Sequence, residues 1–438
     1  MTDIRLRVPD RDRLTAANDV TVADLPRFAP VTVERDVETV DDVHEAGRDA
    51  VGDLPALATL ADGATVAVTA GSRGIRDFPE MLSGVVVELR ERGYDPFVFP
   101  AMGSHGGATA DGQREMLADL GMTEESLGCP VRSSMETVTV GEHDGLPVHA
   151  DRTAADADAI LLANRVKPHT DFHGPVESGL CKMAVIGMGK RAGAEQLHNA
   201  ALGSDMSAEI RARTRILLDE LPVAGGVALV ENAHDRAAHV EGVPAEEMLQ
   251  REPELLERAY DELPTLPLDD LDLLVIDEMG KEVSGTGLDT NVLGRTYFRG
   301  EPEPDTPDYT RIYVRSLTPP SHGNGLGMGL ADVVHRDVAA ALDLGDTYVN
   351  VITSGEPRRA KLPLVVPDDA SAFLLSPSIT GTPDPADLWI ARVPNTLEPD
   401  RLLVSEAVVP ELEATENVTV GGLRPLVFED GQLPPLSV

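Results

Sequence analysis

ATVAVTAGSRGIRDFPEMLSGVVVELRERG, residues 64–93, decides the fold. Residues 64–70 are a short apolar run rich in Val and Thr, the composition of a strand buried on both faces. GSRGIR (71–76) interrupts it as a polar turn, and FPEMLSGVVVELRERG then carries the spacing of an amphipathic helix. The same order recurs: DPFVFPAM (95–102) reads as a strand, GSHGGAT (103–109) as a loop and ADGQREMLADLG (110–121) as a helix. ADAILLAN (157–164) supplies a third strand, with KPHTDFHG (167–174) just beyond its carboxyl end. Strand, loop and helix in succession predict an α/β fold with a mostly parallel sheet and Rossmann-like βα units. Ligands of such open sheets bind outside the carboxyl ends of the strands, so three polar, glycine-rich loops are expected along one edge.

Farther on, MSAEIRARTRILLDEL reads as a helix, GGVALVEN as a strand and EEMLQREPELLERAYDEL as a charged helix. LPTLPLDD (263–270) is a proline-containing connector, and LDLLVIDEMG (271–280) opens a second α/β segment. Strands are expected there near RIYVRSL and TYVNVITSG, and a helix near GLADVVHRDVAAALDL. The 438 residues exceed what one core usually serves. The expectation is two α/β domains, residues 1–268 and 269–400, with a tail, 401–438, free to return to the first. The active site is expected in the cleft between them.

Acidic residues number 75 against 37 basic ones, for a net charge of −38 spread along the chain. Such a surface suits concentrated salt, where screening suppresses self-repulsion. It argues against nucleic acid as a partner, and no basic patch with interleaved aromatics appears. MTDIRLRVPDRDR lacks the apolar core of a signal peptide, and no run approaches the ~18 apolar residues of a membrane span. No membrane partner is expected, and a soluble cytoplasmic protein is; a homo-oligomer is left open. Cys129 and Cys181 are the only cysteines and show no CxxC spacing, so neither disulfides nor a cysteine zinc site is expected.

Only five residues are lysine: Lys167, Lys182, Lys190, Lys281 and Lys361. Three of them lie between residues 167 and 190, near His169, His173 and His198. In a chain that has replaced nearly all its lysine, a retained amine points to a task closed to guanidinium, such as forming a covalent adduct. GSHGG sets His105 among glycines that let the backbone approach a ligand. GSRGIR offers Ser72, Arg73 and Arg76 for an anion such as phosphate or carboxylate. His169 and His173 are four apart with Asp171 between, which on a helix would chelate a metal. Pro168 and Gly174 favour a loop instead, and no HExxH glutamate follows. Lys281 lies after another strand, ahead of Asp289, Asn291 and Arg295, and suits a substrate carboxylate. PPSHGNGLGMGLAD, with His322, reads as a loop leading into a helix.

Taken together, GSR (71–73), GSHGGATADGQREML (103–117), KPH (167–169), Lys182 and LHN (197–199) resemble the nickel-pincer-nucleotide lactate racemase family. The resemblance implies a racemase or epimerase of small-molecule 2-hydroxy acids. Its cofactor would be the nickel-pincer nucleotide, a modified pyridine mononucleotide whose nickel is held by one carbon and two sulfurs. By resemblance Lys182 matches the attachment lysine, His198 the histidine that ligates nickel, and His105 with His169 the two acid/base histidines. Arg73, with Ser72 beside it, matches the arginine of the early cofactor loop. Lys281 matches the substrate-facing lysine, and Arg76 joins it as a substrate-binding candidate. Two departures stand out: Ala70 occupies the place of an aspartate, and PVESGLC replaces a glycine-rich segment.

The chemistry has a clear logic. Removing the α-proton of a 2-hydroxy acid is hard beside a carboxylate, whereas removing hydride leaves a stable keto acid. The cofactor would carry the hydride while histidines, whose unperturbed pKa is about 6.5, suit taking the hydroxyl proton. Two other readings remain: a non-catalytic nucleotide- or metal-binding protein of this fold, and a divalent-metal hydrolase or lyase built on His169, Asp171 and His173.

Overall fold

The computed structural model describes residues 7–437 except Arg73, Leu202 and Gly203, and gives no side-chain description for His198, Asn199 and Ala201. The architecture is mixed α/β. The chain forms two compact units: one is Val37–Leu263, and the other joins Met1–Asp36, which carries strand β1 (Arg27–Val33), to Pro264–Val438.

In the unit Val37–Leu263, β2 (Thr65–Ala70) and β3 (Asp95–Pro100) precede a separate antiparallel hairpin of β4 (Thr137–His143) and β5 (Leu146–Asp151). β6 (Ala159–Arg165), β7 (Val223–Glu231) and β8 (Ala237–Pro244) complete a five-stranded sheet ordered β3-β2-β6-β7-β8. β3, β2, β6 and β7 run parallel, and β8 returns antiparallel along β7.

Both faces of this sheet are covered, which explains the unbroken apolar runs. Val66, Val68 and Ala70 meet Met81, Val85 and Leu89 of the helix Phe78–Glu91 on one face. Ala67, Phe97, Phe99, Ile160 and Leu162 join Leu180, Ile210 and Leu217 on the other. Burying each Val, Leu, Ile, Phe or Met among them contributes about 1.5–3 kcal/mol. Gly84 lets the helix Val43–Gly52 cross Phe78–Glu91 backbone to backbone, since a Cβ there would sit 2.0 Å from the carbonyl oxygen of His44.

The other unit holds a nine-stranded sheet. β9 (Asp270–Met279), β10 (Asp308–Leu317), β11 (Val333–His335) and β12 (Leu364–Val366) run parallel, and β13 (Ile390–Val393) lies parallel on the other side of β9. β14 (Arg401–Ser405) is antiparallel to β13, and β1 pairs antiparallel with β14, with β15 (Val418–Val420) and with β16 (Arg424–Pro425). Residues 27–33 and 401–425 therefore share one sheet. Ala29 and Val31 point into its core and hold β1 there.

Two local expectations change. TYVNVITSG is expected as a strand for its β-branched residues, but it lies in the helix Leu344–Ser354. Asp343 caps that helix by accepting from the backbone of Gly345 and Asp346, and Gly355 ends it in the left-handed region. Conversely, GLADVVHRDVAAALDL is not one helix. Val333–His335 pairs with β10 as a strand, and only Arg336–Ala341 continues as helix, capped by His335.

Candidate active site

The carboxyl ends of β3, β2 and β6 are neighbours, so the loops that follow them share one edge of the sheet. Ser72, two residues past β2, places its Oγ 2.5 Å from Nδ1 of His105 in the loop after β3. His105 is exposed and Ser72 half-buried. The His105 loop is held from within by Gln113, fully buried, whose amide donates to the carbonyls of Gly103 at 3.0 Å and His105 at 3.2 Å.

Behind Gln113 lies Lys190, also fully buried. Its ammonium donates to the carbonyl of Pro100, the last residue of β3, and to Gln113 Oε1 at 3.4 Å, and it pairs with Asp151 at 3.0 Å. Two carbonyl oxygens and one carboxylate thus surround the ammonium. Burial pulls the Lys190 pKa down, and the Asp151 carboxylate pulls it back up. Lys190 is the foundation of the His105 loop.

The loop after β6 closes on itself. Lys167 and Ser178 pair through their backbones, and between them the buried carboxylate of Glu177 accepts from the N–H groups of His169 at 2.5 Å and Gly174 at 3.1 Å. Tyr260 donates its hydroxyl to Glu177 at 2.9 Å and accepts from Nδ1 of His173 at 2.9 Å. His173 is thereby committed to holding the loop. Nδ1 of His169 accepts the backbone N–H of Asp171 at 3.0 Å, which leaves the proton of its neutral ring on Nε2.

Phe172 links this loop to the lysine. Its ring lies 4.4 Å from the His169 ring, and the Lys182 Nζ lies 5.4 Å from its centre. Lys182 ends a helical turn, Leu180–Lys182, that continues as a π turn, Met183–Gly187, a form seen often at functional sites. Beneath this turn sits Glu252, completely buried, which accepts the Cys181 N–H at 2.8 Å through Oε2, while Oε1 has no hydrogen-bond partner. Burial pushes its carboxyl up to about 7.

The remaining candidates stand as follows. Arg73 and the side chain of His198 lie outside the described residues. Arg76 is exposed in the turn before the helix Phe78–Glu91. Lys281 belongs to the other unit, where its Nζ donates to the Gly285 carbonyl and reaches Asn350 Oδ1 at 3.4 Å. Arg295 is absorbed by Asp332 at 2.7 Å and by the carbonyls of Leu330, Tyr309 and Thr310. His322 sits in a left-handed turn between β10 and β11.

Among the described residues, His169, Asp171 and His173 do not converge as a metal-ligand set; His143, Asp144 and Glu209 do, within 4.8 Å of one another. Arg213 already pairs with Glu209 there and opposes a cation. Glu177, Tyr260, Phe172, Gln113 and Glu252 are the site residues that sequence reasoning misses. A carboxylate in the atypical PVESGLC segment is the one available signal. No family model matches the chain, and no curated protein matches it. No helix among the described residues is long and apolar enough to cross a membrane.

Proposed function

We propose that this protein is a racemase or epimerase of 2-hydroxy acids that works with a nickel-pincer nucleotide. The observation that carries the reading is the meeting of three loops at adjacent parallel strand ends, with Ser72 on His105 and with Lys182 and His169 on one aromatic ring.

What supports such a group is the chemistry of the donor set, one primary amine and one hydroxyl in the segments that follow neighbouring strands. Lys182 supplies a half-buried primary amine, and Gly71 and Gly103 are bare backbone positions in the loops after β2 and β3. A Cβ at either would press on a neighbour already there, at 3.3 Å from Met183 Cε or 3.1 Å from Ile186 Cγ2. Lys182 and His198 would hold the cofactor, with Ser72 and Arg73 beside it. When bound, it would accept hydride from the α-carbon and return it to either face.

The chain's own part is proton handling and placement. Ser72, accepting from Nδ1–H of His105, would leave Nε2 of that ring with its lone pair, as a base for the substrate hydroxyl proton. His169, whose Nδ1 is occupied by the Asp171 N–H, offers Nε2–H as a donor to the substrate oxygen or carboxylate. The two histidines are therefore unequal. One base suffices if the planar keto acid turns about its C=O axis, since that motion exchanges its faces and leaves the oxygen beside His105. Arg76 is the candidate within this unit for the carboxylate.

Turnover of a 2-hydroxy acid in heavy water by nickel-replete protein tests this reading. Inverted product should carry no solvent deuterium at the α-carbon, and the protein should hold nickel at stoichiometry. Rapid wash-in would point to proton abstraction and overturn it.

A further inference from the structure

We propose that the helix Leu344–Ser354 is a self-association face that docks on the same helix of a second copy, antiparallel across a twofold axis. Among the described residues, six of the ten large apolar side chains that are exposed fall in one stretch: Leu344, Tyr348, Val349, Ile352, Leu362 and Leu364. Val349 is 66% exposed and Ile352 78%, in a chain whose surface is otherwise dominated by carboxylates. Leu344, Tyr348 and Ile352 are four apart, so they form one stripe along the helix.

The helix beneath this stripe is firmly built. Thr347 and Val351 are buried, and the Thr347 hydroxyl accepts the Gly325 N–H at 3.0 Å and donates to the Asp343 carbonyl at 2.7 Å. The apolar face is therefore fixed in place. Concentrated apolar exposure of this kind marks an interaction surface.

Charge identifies the occupant. The start of the helix carries Asp343 and Asp346, both exposed, and the segment after its end carries the exposed Lys361, one of only five lysines, beside Arg358, which already pairs with Glu356 at 2.9 Å. A twofold axis across the middle of the stripe sets the acidic start of each helix beside the basic exit of the other, and it opposes the two helix dipoles. A generally basic partner would match the net charge of −38 but would leave the uncharged stripe uncovered. A second copy matches both features.

The exposed pairs at the two ends are few and weak, whereas each body carries a net charge of −38 and the stripe itself is apolar, so the screened repulsion dominates and association should strengthen as salt rises. Sedimentation velocity of the full chain at micromolar concentrations, in dilute and in multimolar KCl, reads this directly. The expectation is a dimer whose fraction grows with KCl. Ile352→Glu and Val349→Glu should weaken it by roughly a hundredfold or more each, because a twofold axis counts every substitution twice. Both side chains are exposed, so an unchanged thermal melt should accompany the loss. Overturning results are a wild-type chain that stays monomeric at every salt concentration, a dimer that salt dissociates, or one that Ile352→Glu leaves intact. Docking of any other partner on this face would appear as the first of these.

Discussion

Replacing Glu252 by glutamine should remove one contribution to stability that falls as pH rises. The Glu252 carboxyl is completely buried beneath the helical turn that ends in Lys182, and burial lifts it from an ordinary 4.5 to about 7. Below the lower value the group is protonated in both folded and unfolded chains and contributes nothing to the pH dependence. Between the two values the unfolded chain releases the proton and the folded one keeps it, so stability falls as pH rises. Above about 7 the loss is complete, at roughly 3 kcal/mol for a shift of this size. The substituted side chain would retain an oxygen for the Cys181 N–H and cannot ionise. Its amide adds at most a constant offset, so the slope is the readout. The stability difference between Glu252→Gln and wild type should grow by roughly 3 kcal/mol from about pH 4.5 to pH 7.5. That is roughly 6–12 °C in the melting of a unit of this size. Paired thermal and urea melts in multimolar KCl measure it, with other titrating groups cancelling in the difference. A difference that stays level across this range would refute the reasoning.

Three further outcomes follow from the same network. Lys190→Met should destabilise the chain by about 3–5 kcal/mol by leaving Asp151 buried and uncompensated, and adding Asp151→Asn should restore most of that in urea melts. If the double variant stays as unstable as the single one, the ion pair is not the cause. Glu177→Ala should orphan the N–H groups of His169 and Gly174 at about 1–3 kcal/mol each. Hydrogen exchange should then quicken over residues 167–178 and stay unchanged in β2 and β3; uniform quickening would count against a local role. Lys182→Arg should keep a cation over Phe172, and with it the melting temperature, yet lose any covalent adduct in the intact mass of protein made with the cofactor's assembly system. An adduct that persists on the arginine variant places attachment elsewhere.

The strands that position the site are legible because each is a short apolar run ended by glycine or a polar turn, and both faces of the sheet demand that composition. β1 is not, since Pro30 interrupts RFAPVTV and its partners lie in the last 40 residues of the chain. The helix Leu344–Ser354 misleads because its Val and Ile content speaks for a strand, while the capping Asp343 and closing Gly355 speak for a helix; caps and packing prevail. In the site itself, histidines and lysines announce themselves by type. The groups that hold them do not: Tyr260 reaches Glu177 across 83 residues and Glu252 reaches Cys181 across 71, and no local pattern encodes either contact.

Those contacts also explain why lysine persists where this chain has otherwise turned to arginine. At Lys190 the surroundings offer three acceptors and no solvent, so a guanidinium with five N–H donors would leave donors unpaired in the interior. Lys281 is similarly engaged, by the Gly285 carbonyl and Asn350. Lys182 is half-buried with its Nζ 5.4 Å from the centre of the Phe172 ring, a contact in which arginine would stack at least as well. Packing therefore accounts for Lys190, whereas the aromatic contact by itself does not select lysine over arginine at Lys182. What the amine at Lys182 offers beyond arginine is nucleophilic chemistry, and that difference is the strongest reason to look for a group attached there.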